Sequence, residues 1–378
     1  MKIILTDLDL RKSFDVFHIL KSKGYEIIGF SCENRFTRAV LSLIYGQKIF
    51  SLTKDDDFHL GITKALKEEQ AIYFPIEEDT TLCFYQAVKS EKLPNIISLL
   101  PDEETFHLAR DKKHFSQFCL NNNLPVPMEY DYNSLIEHKD LPSNLIIKPK
   151  IGSGSMGIKF IDTYDELLNY KDLDYKKFLI QERLENSRDI HGAFFLFNKG
   201  KQISYYGHKR IRTYPAEGGV TVYSKCEMND TLKEIGSNLL EKLQWSGIAM
   251  VEFLYDTSTK SYKIIEVNPR AWGSIMLSEF CGSKMLDNYI NASLEKELTP
   301  QAINEETYIR WFFPWDLLSY FQKKGGIKNF WKFDTKKCCY INFSYAPWYA
   351  GIAYTLFNLL NPQKIKKFFQ KVFKNAKI

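Results

Sequence analysis

The sequence predicts a mixed fold, in which a parallel α/β domain is followed by an α+β region and then by an apolar C-terminal extension. Short apolar strands alternate with helical patterns over about the first hundred residues, which is the order of a parallel, doubly wound sheet. From Leu145 the pattern changes to short strands separated by turn residues, as in antiparallel sheets. Long aromatic stretches then follow. We therefore expect a first domain at 1–105 and an extension at 301–378.

The N-terminal elements appear as separate apolar patterns. Three strands and a helix are predicted, in this order, at Ile3–Thr6, Ser13–Ser22 (the helix), Glu26–Gly29 and Ala71–Pro75. A further helix follows the last of these strands, with Leu82, Tyr85 and Val88 predicted on one face. The loop after the first strand, TDLDLRKS, lacks the glycines of a dinucleotide-binding fingerprint. The domain is therefore expected to be Rossmann-like in topology only.

Composition and charge exclude several classes of protein. The net charge is +5, but eight lysines and no acidic residue follow Asp334, so the excess positive charge lies in the tail and does not indicate a nucleic-acid-binding surface. The seven cysteines are scattered without CxxC spacing, which argues against a disulfide framework or a zinc site. No secretory signal or apolar run of spanning length is apparent. We expect a cytoplasmic protein.

A glycine-rich segment follows the predicted strand Leu145–Pro149. Gly152, Gly154 and Gly157 satisfy GxGxxG, but a dinucleotide fingerprint must open a helix, and here another strand follows. A glycine loop between antiparallel strands is instead a flap that can fold over phosphates with its backbone N–H groups. Lys148, just before the loop, would place a cation near the same oxygens. A plain hairpin turn is the alternative for this segment.

Two apolar strands joined by a polar turn are predicted to form a hairpin that carries three oxygen donors. Glu266 and Asn268 are two residues apart and share one face of their strand, while Ile265 and Val267 are expected on the core face. Glu252 lies almost opposite Glu266 on the partner strand. Two carboxylates and an amide oxygen suit Mg²⁺, which takes few protein ligands and completes its octahedron with phosphate and water. A solvated acidic face is the alternative.

Three arginines near these segments are candidate catalytic residues. Arg270 follows the hairpin directly and can neutralise a transferring phosphoryl group. Arg210 and Arg212 share a strand face and can form a bidentate clamp on a substrate carboxylate or an acyl phosphate. A surface strand and turn is the alternative for this second pair.

A third segment, Phe178 to Glu185, leaves a predicted strand and enters a linker. Backbone groups that are exposed where a strand leaves its sheet can match the edge of adenine, and a nearby carboxylate can accept both ribose hydroxyls. By itself this pattern is not specific.

Taken in order, these segments resemble the ATP-grasp superfamily, which includes biotin carboxylase, D-alanine–D-alanine ligase and carbamoyl phosphate synthetase. The resemblance covers about residues 1–300, and its most specific part runs from Glu252 to Arg270. Lys112, on a helix predicted over Asp102–Leu120, is similar to the lysine that precedes the central subdomain in that family. The resemblance implies an ATP-grasp unit at 106–300, with a central flap subdomain at 106–180 and a catalytic subdomain at 181–300.

The resemblance also implies a role for each site residue. Those expected to bind ATP are Lys112, Lys148, Lys150, Ser153, Gly154, Ser155, Gly157, Gln181, Glu182, Leu184 and Asp189. Those expected to bind one or two Mg²⁺ ions, with Mn²⁺ as an alternative, are Glu252, Glu266 and Asn268. Those expected to act in catalysis are Lys148, Arg210, Arg212 and Arg270. Gln181 stands where this family often has an acidic residue.

The reaction that the resemblance implies is an ATP-dependent ligation. A carboxylate oxygen attacks the γ-phosphorus, and the resulting acyl phosphate reacts with an amine while the flap excludes water. We therefore expect an amide-forming ligase that acts on a small-molecule or saccharide carboxylate and an amine. Two alternatives stay open: an enzyme of the carboxylase or carbamoyl phosphate type that uses bicarbonate, and a non-catalytic ATP-binding assembly protein. The sequence also leaves a homo-oligomer open.

The extension ends in a basic amphipathic pattern. Gln363–Ile378 places apolar residues at helical spacing, and its six lysines fill much of the remaining surface. Such a helix can lie on an anionic membrane, here at the inner face. Packing on the core of this chain or on a partner is the alternative. Membrane contact would favour a lipid-linked or cell-envelope saccharide carboxylate as the substrate.

Overall fold

The computed structural model describes most of the chain. The described residues are 1–55, 57–67, 69–93, 95–138, 141–142, 144–152, 157–184, 190–214, 220–311, 316–322, 338–340 and 346–361. Four residues predicted to bind ATP (Ser153, Gly154, Ser155 and Asp189) and the predicted amphipathic helix at 363–378 lie outside these ranges.

The N-terminal domain is a five-stranded parallel sheet with helices packed on both faces. Its elements are β1 (Lys2–Leu5), α1 (Arg11–Ser22), β2 (Glu26–Ser31), α2 (Arg35–Tyr45), β3 (Ile49–Ser51), α3 (Phe58–Leu66), β4 (Ala71–Phe74), α4 (Glu78–Lys89) and β5 (Ile96–Ser98). The strand order is β3-β2-β1-β4-β5. The central strands are buried on both faces, which explains their continuous apolar runs. The predicted parallel α/β fold is confirmed.

The buried face of α4 differs from the predicted one. Val88 is exposed, and the face that packs on the sheet is formed by Thr80, Phe84 and Ala87. Phe84 stacks on Tyr73 of β4, with ring centroids 4.1 Å apart. The predicted residues are three apart, and a repeat of three moves gradually around a helix that has 3.6 residues per turn. Alternating spacings of four and three keep side chains on one face.

The helix predicted over Asp102–Leu120 is two helices, α5 (Glu103–Arg110) and α6 (Lys112–Asn121). Asp111 lies between them in an extended conformation, and its carboxylate accepts hydrogen bonds from the backbone N–H groups of Lys113 (2.9 Å) and His114 (3.2 Å). An aspartate that caps a helix in this way begins a new helix instead of continuing the old one. The break places Lys112 in the first turn of α6.

A small antiparallel sheet follows, with strand order β6-β9-β7-β8. Its elements are β6 (Glu129–Tyr130), α7 (Tyr132–His138), β7 (Leu145–Pro149), β8 (Lys159–Ile161), α8 (Tyr164–Leu168) and β9 (Phe178–Glu182). A separate apolar core beneath it contains Leu135, Leu145, Ile147 and Ile180. The predicted strands on either side of the glycine loop are therefore present, and they pair with each other.

A seven-stranded sheet forms the largest layer, with strand order β14-β13-β10-β11-β12-β15-β16. Its elements and the helices among them are β10 (Ile190–Asn198), β11 (Lys201–Tyr214), β12 (Val220–Cys226), α9 (Asp230–Lys242), β13 (Gly247–Asp256), β14 (Ser261–Asn268), α10 (Met276–Phe280), α11 (Met285–Ser293), β15 (Tyr308–Arg310), α12 (Leu317–Gln322), β16 (Cys338–Tyr340) and α13 (Trp348–Leu360). Only the β15–β16 pair is parallel among the described strands of this sheet. The extension thus adds two strands as well as helices.

The loop after β14 joins the large sheet to the N-terminal domain. The backbone N–H of Ala271 donates to the carbonyl of Pro75 at 2.9 Å, and Lys12 donates its Nζ to the carbonyl of Ala271 at 3.0 Å. Trp272 is buried and donates to the hydroxyl of Tyr206 at 2.7 Å. These contacts place the carboxyl edge of the parallel sheet beside the hairpin of β13 and β14.

In the described part of the chain, no helix combines the length and the apolar character that a membrane crossing requires.

Candidate active site

The predicted pairing of the two carboxylates is confirmed. Glu252 on β13 and Glu266 on β14 are directly opposite in the antiparallel ladder. The next pair joins Phe253 to Ile264, so Ile265 is an extra residue in a β-bulge. As a result Ile264 and Val267 pack in the core, and the prediction that Ile265 does so is wrong. The bulge lies directly beside the carboxylate pair, where bulges commonly re-aim side chains.

Each donor of this hairpin has a cation beside it. Glu266 accepts from Lys112 (Nζ to Oε2, 3.2 Å) and from the amide of Asn268 (3.2 Å). Glu252 pairs with Arg210 at 3.0 Å. Arg270 donates from Nη2 to the Oδ1 of Asn268 at 3.0 Å. Residues that are far apart in sequence thus form one charged cluster on a largely buried surface.

The two carboxylates differ in how readily they ionise. Burial raises the pKa of Glu252, and the attraction of Arg210 offsets only part of this effect. Burial acts in the same direction on Glu266, but Lys112, Asn268 and Lys148 outweigh it and lower its pKa below the ordinary value. Glu266 is therefore the more firmly ionised member of the pair.

The donor set fits a hard divalent cation. Within the described ranges, no three His, Cys, Asp or Glu side chains lie close enough together to hold a metal ion. The set on this hairpin is of another kind, with two carboxylates and one amide oxygen. Mg²⁺ commonly takes one or two protein carboxylates and leaves its other positions to phosphate oxygens and water. Glu252, Glu266 and Asn268 are the residues that would hold it.

Two lysines lie beside this cluster. Lys112 donates its Nζ to the carbonyl of Gly152 at 2.6 Å, and its backbone N–H donates to the carbonyl of Lys150 at 2.9 Å. The base of the glycine loop is therefore tied to the residue that pairs with Glu266. Lys148, on β7, is buried close enough to Glu266 to feel its charge. Gly157, at the far end of the loop, has φ +78, a backbone conformation that favours glycine.

Lys148 gives a testable pH dependence. Burial lowers its pKa to about 8, although Glu266 acts in the opposite direction. The charged form is the one predicted to neutralise phosphate, and it is present below this pKa. We therefore expect kcat/KM for ATP to fall as the pH rises through about 8. Lys148→Arg stays charged and should lose this alkaline decline. Steady-state rates measured from about pH 6 to about pH 9 test this expectation.

Lys113→Arg, at an exposed residue of α6, is the matched control. Its kcat/KM for ATP should fall with rising pH as in the wild type. A decline that persists unchanged in Lys148→Arg would assign it to another group.

The predicted adenine-binding segment lies at the end of β9. Gln181 is buried and donates its amide Nε2 to the carboxylate of Glu129 at 3.2 Å, while its Oε1 has no hydrogen-bond partner among the described residues. Glu182 accepts at its carboxylate from the backbone N–H of Met128 at 2.9 Å. Leu184 is buried. Because Glu129 accepts from the amide nitrogen, the unpartnered atom of this side chain is an oxygen, which can accept a hydrogen bond but not donate one.

Arg210 and Arg212 do not point to a common position. Arg210 pairs with Glu252, whereas Arg212 forms a bidentate ion pair with Asp316 at 2.6 and 3.1 Å. The strand pairing shifts on both sides of Arg212, so the even spacing used in the prediction does not hold here. The two arginines therefore do not form the predicted joint clamp, and binding of a substrate carboxylate by Arg210 stays a prediction.

Several charged residues at the site were not identified from the sequence. Arg270 donates to Glu78 at 3.2 Å, and the same carboxylate accepts from Arg110 at 2.8 Å. Lys12 pairs with Glu77 at 2.7 Å. Both glutamates lie at the start of α4, separated by two residues from the end of the buried strand β4, where the strand order of the parallel sheet reverses. Parallel sheets commonly bind ligands at this position. The location of Glu77 and Glu78 after β4 is therefore the sequence signal that could have identified them.

Comparisons with known proteins bear on this arrangement. Residues 109–274 match the family model of the ATP-grasp domain. No curated protein matches the sequence. Among solved structures, the biotin carboxylase domain of the 2-oxoglutarate carboxylase from Hydrogenobacter thermophilus has a TM-score of 0.64 at 13% identity, over 81% of this chain and 73% of that chain.

Two further structures have the same fold. Biotin carboxylase from Campylobacter jejuni has a TM-score of 0.62 at 15% identity, over 81% of this chain and 74% of that chain. N5-carboxyaminoimidazole ribonucleotide synthetase from Thermotoga maritima has a TM-score of 0.56 at 16% identity, over 80% of this chain and 77% of that chain. The resemblance inferred from the motifs is thus confirmed: residues 109–274 form an ATP-grasp domain, and the chain has the ATP-grasp fold.

Proposed function

We propose that this protein is an ATP- and Mg²⁺-dependent ligase that activates a carboxylate as an acyl phosphate and joins it to an amine. The observation that carries the proposal is the buried cluster in which Glu252, Glu266 and Asn268 meet Lys112, with Lys148 close by. Mg²⁺ at these oxygens would neutralise the phosphates of ATP.

The proposed roles of the side chains follow from their charges. Lys112 and Lys148 offset negative charge on the nucleotide, and Arg270 does so on the phosphoryl group during transfer. The carboxylate oxygen of the substrate forms a bond to the γ-phosphorus, and ADP leaves. The amine nitrogen then forms a bond to the acyl carbon, phosphate leaves with one former carboxylate oxygen, and the amine proton passes to solvent.

Trapping and isotope transfer test the proposal without knowledge of the amine. We expect a suitable carboxylate from a panel of amino acids and uronic acids to release ADP, and hydroxylamine to capture its acyl phosphate as a hydroxamate. With ¹⁸O in the carboxylate, one labelled oxygen should appear in the released phosphate. ADP release without hydroxamate or label transfer, for every carboxylate that supports turnover, would contradict an acyl phosphate.

A bicarbonate-using enzyme is the second candidate. It is favoured by a specific observation: the Hydrogenobacter structure with this fold was solved as a complex with MgADP and bicarbonate. Turnover that requires bicarbonate and no other carboxylate would favour this candidate over the ligase. Nucleotide binding without ADP release under any pairing would favour a non-catalytic ATP-binding protein.

The acceptor side is proposed to lie near Arg210, because its partner Glu252 belongs to the cluster and its Nε has no hydrogen-bond partner among the described residues. A small-molecule or saccharide carboxylate would meet this arginine. We further propose that the protein works in the cytoplasm, with peripheral contact to the inner membrane face when the carboxylate is carried on a lipid-linked saccharide.

A further inference from the structure

The C-terminal helix α13 is anchored to the N-terminal domain by one of its faces. Ala350 and Tyr354 are buried in the shared core, and the Tyr354 ring stacks on Phe14 of α1 with ring centroids 4.3 Å apart. The Tyr354 hydroxyl donates to the carbonyl of Asp9 at 2.9 Å. The buried side of α13, which contains Ala350 and Tyr354, therefore fixes the position of the helix. The opposite side is not needed for this.

That opposite side is also apolar. Trp348, Ile352, Leu356 and Leu360 recur every four residues and are exposed, with exposed fractions of 68% for Trp348 and 72% for Leu360. No charged residue occurs between Ala346 and Asn361. A surface helix normally carries polar residues on its outer side. Because the outer side of α13 is apolar and exposed, folding of the chain does not explain this stripe.

Helix α2 packs beside α13 and extends the apolar surface. Its exposed side carries Phe36, 78% exposed, and Leu43, 81% exposed, two turns apart. Seven of the sixteen large apolar side chains that are exposed among the described residues lie on these two helices, which contain only 11 and 13 residues. The α2–α13 face is defined here as Phe36, Leu43, Trp348, Tyr349, Ile352, Leu356 and Leu360. Such a concentration marks a binding surface.

The charged residues on the two helices of this face are basic. Neither helix contains an acidic residue, and Arg35, next to Phe36, is exposed. In the sequence, Leu360 is followed by 18 residues that include six lysines and no acidic residue. Trp348 and Tyr349 begin the helix, and these two residue types favour the boundary between the apolar and polar layers of a bilayer.

We propose that the α2–α13 face binds the surface of an anionic lipid membrane. Apolar side chains would enter the acyl boundary while Arg35 contacts the headgroups. A 13-residue helix spans about 20 Å, less than the thickness of a bilayer, so the contact is peripheral. The proposal does not depend on the reaction assigned to the nucleotide site.

Vesicle co-sedimentation of the full chain tests the proposal. We expect binding to vesicles of phosphatidylcholine with about one third phosphatidylglycerol, and about tenfold weaker binding to phosphatidylcholine alone. The double variant Ile352→Gln, Leu356→Gln should bind the anionic vesicles about tenfold less tightly than the wild type. Glutamine keeps helix propensity, so α13 should still form.

The matched control is Leu60→Gln, Val88→Gln. These residues are similarly exposed, on α3 and α4, which cover the opposite face of the same sheet. This variant should bind vesicles like the wild type, and both double variants should keep the wild-type thermal unfolding midpoint. Absence of wild-type binding to anionic vesicles would overturn the proposal, as would unchanged binding by the Ile352, Leu356 variant. A wild-type dimer that this variant converts to a monomer, without a change in vesicle binding, would assign the face to a second copy.

Discussion

Replacing Glu266 by glutamine is expected to lower ATP turnover by about a thousandfold, while the chain still folds. The substitution preserves the size of the side chain and its hydrogen bond with Asn268, but it removes the charge that faces Lys112 at 3.2 Å. Without that charge the proposed metal site would hold a divalent cation weakly, and Lys112 would lose the partner that positions it. ADP release under conditions in which the wild type turns over provides the measurement.

The control for this substitution is Glu26→Gln. Glu26 is an exposed glutamate at the start of β2 that pairs with Lys2 at the start of β1, at the end of the sheet opposite its carboxyl edge. It should retain full turnover. Urea unfolding of both variants separates a loss of chemistry from a loss of folding. A folded Glu266→Gln variant with turnover within about tenfold of wild type would refute the metal assignment.

Removing the carboxylate of Asp316 is expected to destabilise the chain by about 3–5 kcal/mol. Asp316 is fully buried and accepts from Arg212 in two hydrogen bonds, of 2.6 and 3.1 Å, and from the buried Arg310. Asp316→Ala would leave two guanidinium groups without their counter-charge in a region shielded from water. The free energy of unfolding from urea titration gives the measurement.

Glu69→Ala is the matched control for this prediction, because Glu69 forms an exposed ion pair with Lys2 at 2.8 Å. Exposed pairs contribute about 0–1 kcal/mol, so the control should unfold nearly like the wild type. If the two substitutions lowered the free energy of unfolding equally, the ion pairs of Asp316 would contribute no more to stability than an exposed pair. Arg212 also lies on the strand that carries Arg210, so Asp316→Ala should additionally weaken substrate binding near Glu252.

Much of the candidate site could be predicted from local patterns. The alternation along β14 put Glu266 and Asn268 on one face, and the length of the turn put Glu252 opposite Glu266. The strand predicted after the glycine loop argued against a dinucleotide fingerprint, which would open a helix, and this strand is present as β8. The inferences about the strands were confirmed, because side-chain alternation in a strand repeats every two residues and depends on few neighbours.

Other features could not be read from local patterns. The bulge at Ile265 changed which residue packs in the core, and a cap at Asp111 divided one predicted helix into two. Periodicity assumes regular geometry, and a single extra residue or capping side chain breaks it. The ion pair of Arg212 with Asp316 joins residues 104 positions apart, which no local pattern specifies.

The sequence by itself determined the order of the layers, the glycine loop, and the three oxygen donors on one hairpin, since each of these is written in residue type and short-range spacing. The tertiary structure decided which cation faces which carboxylate, that Glu77 and Glu78 join the site from the N-terminal domain, and that α2 and α13 leave one apolar face uncovered. The physical reason is that charge pairing and burial act through space. They depend on which surfaces come together when separate layers pack, and this packing is fixed by the whole chain at once.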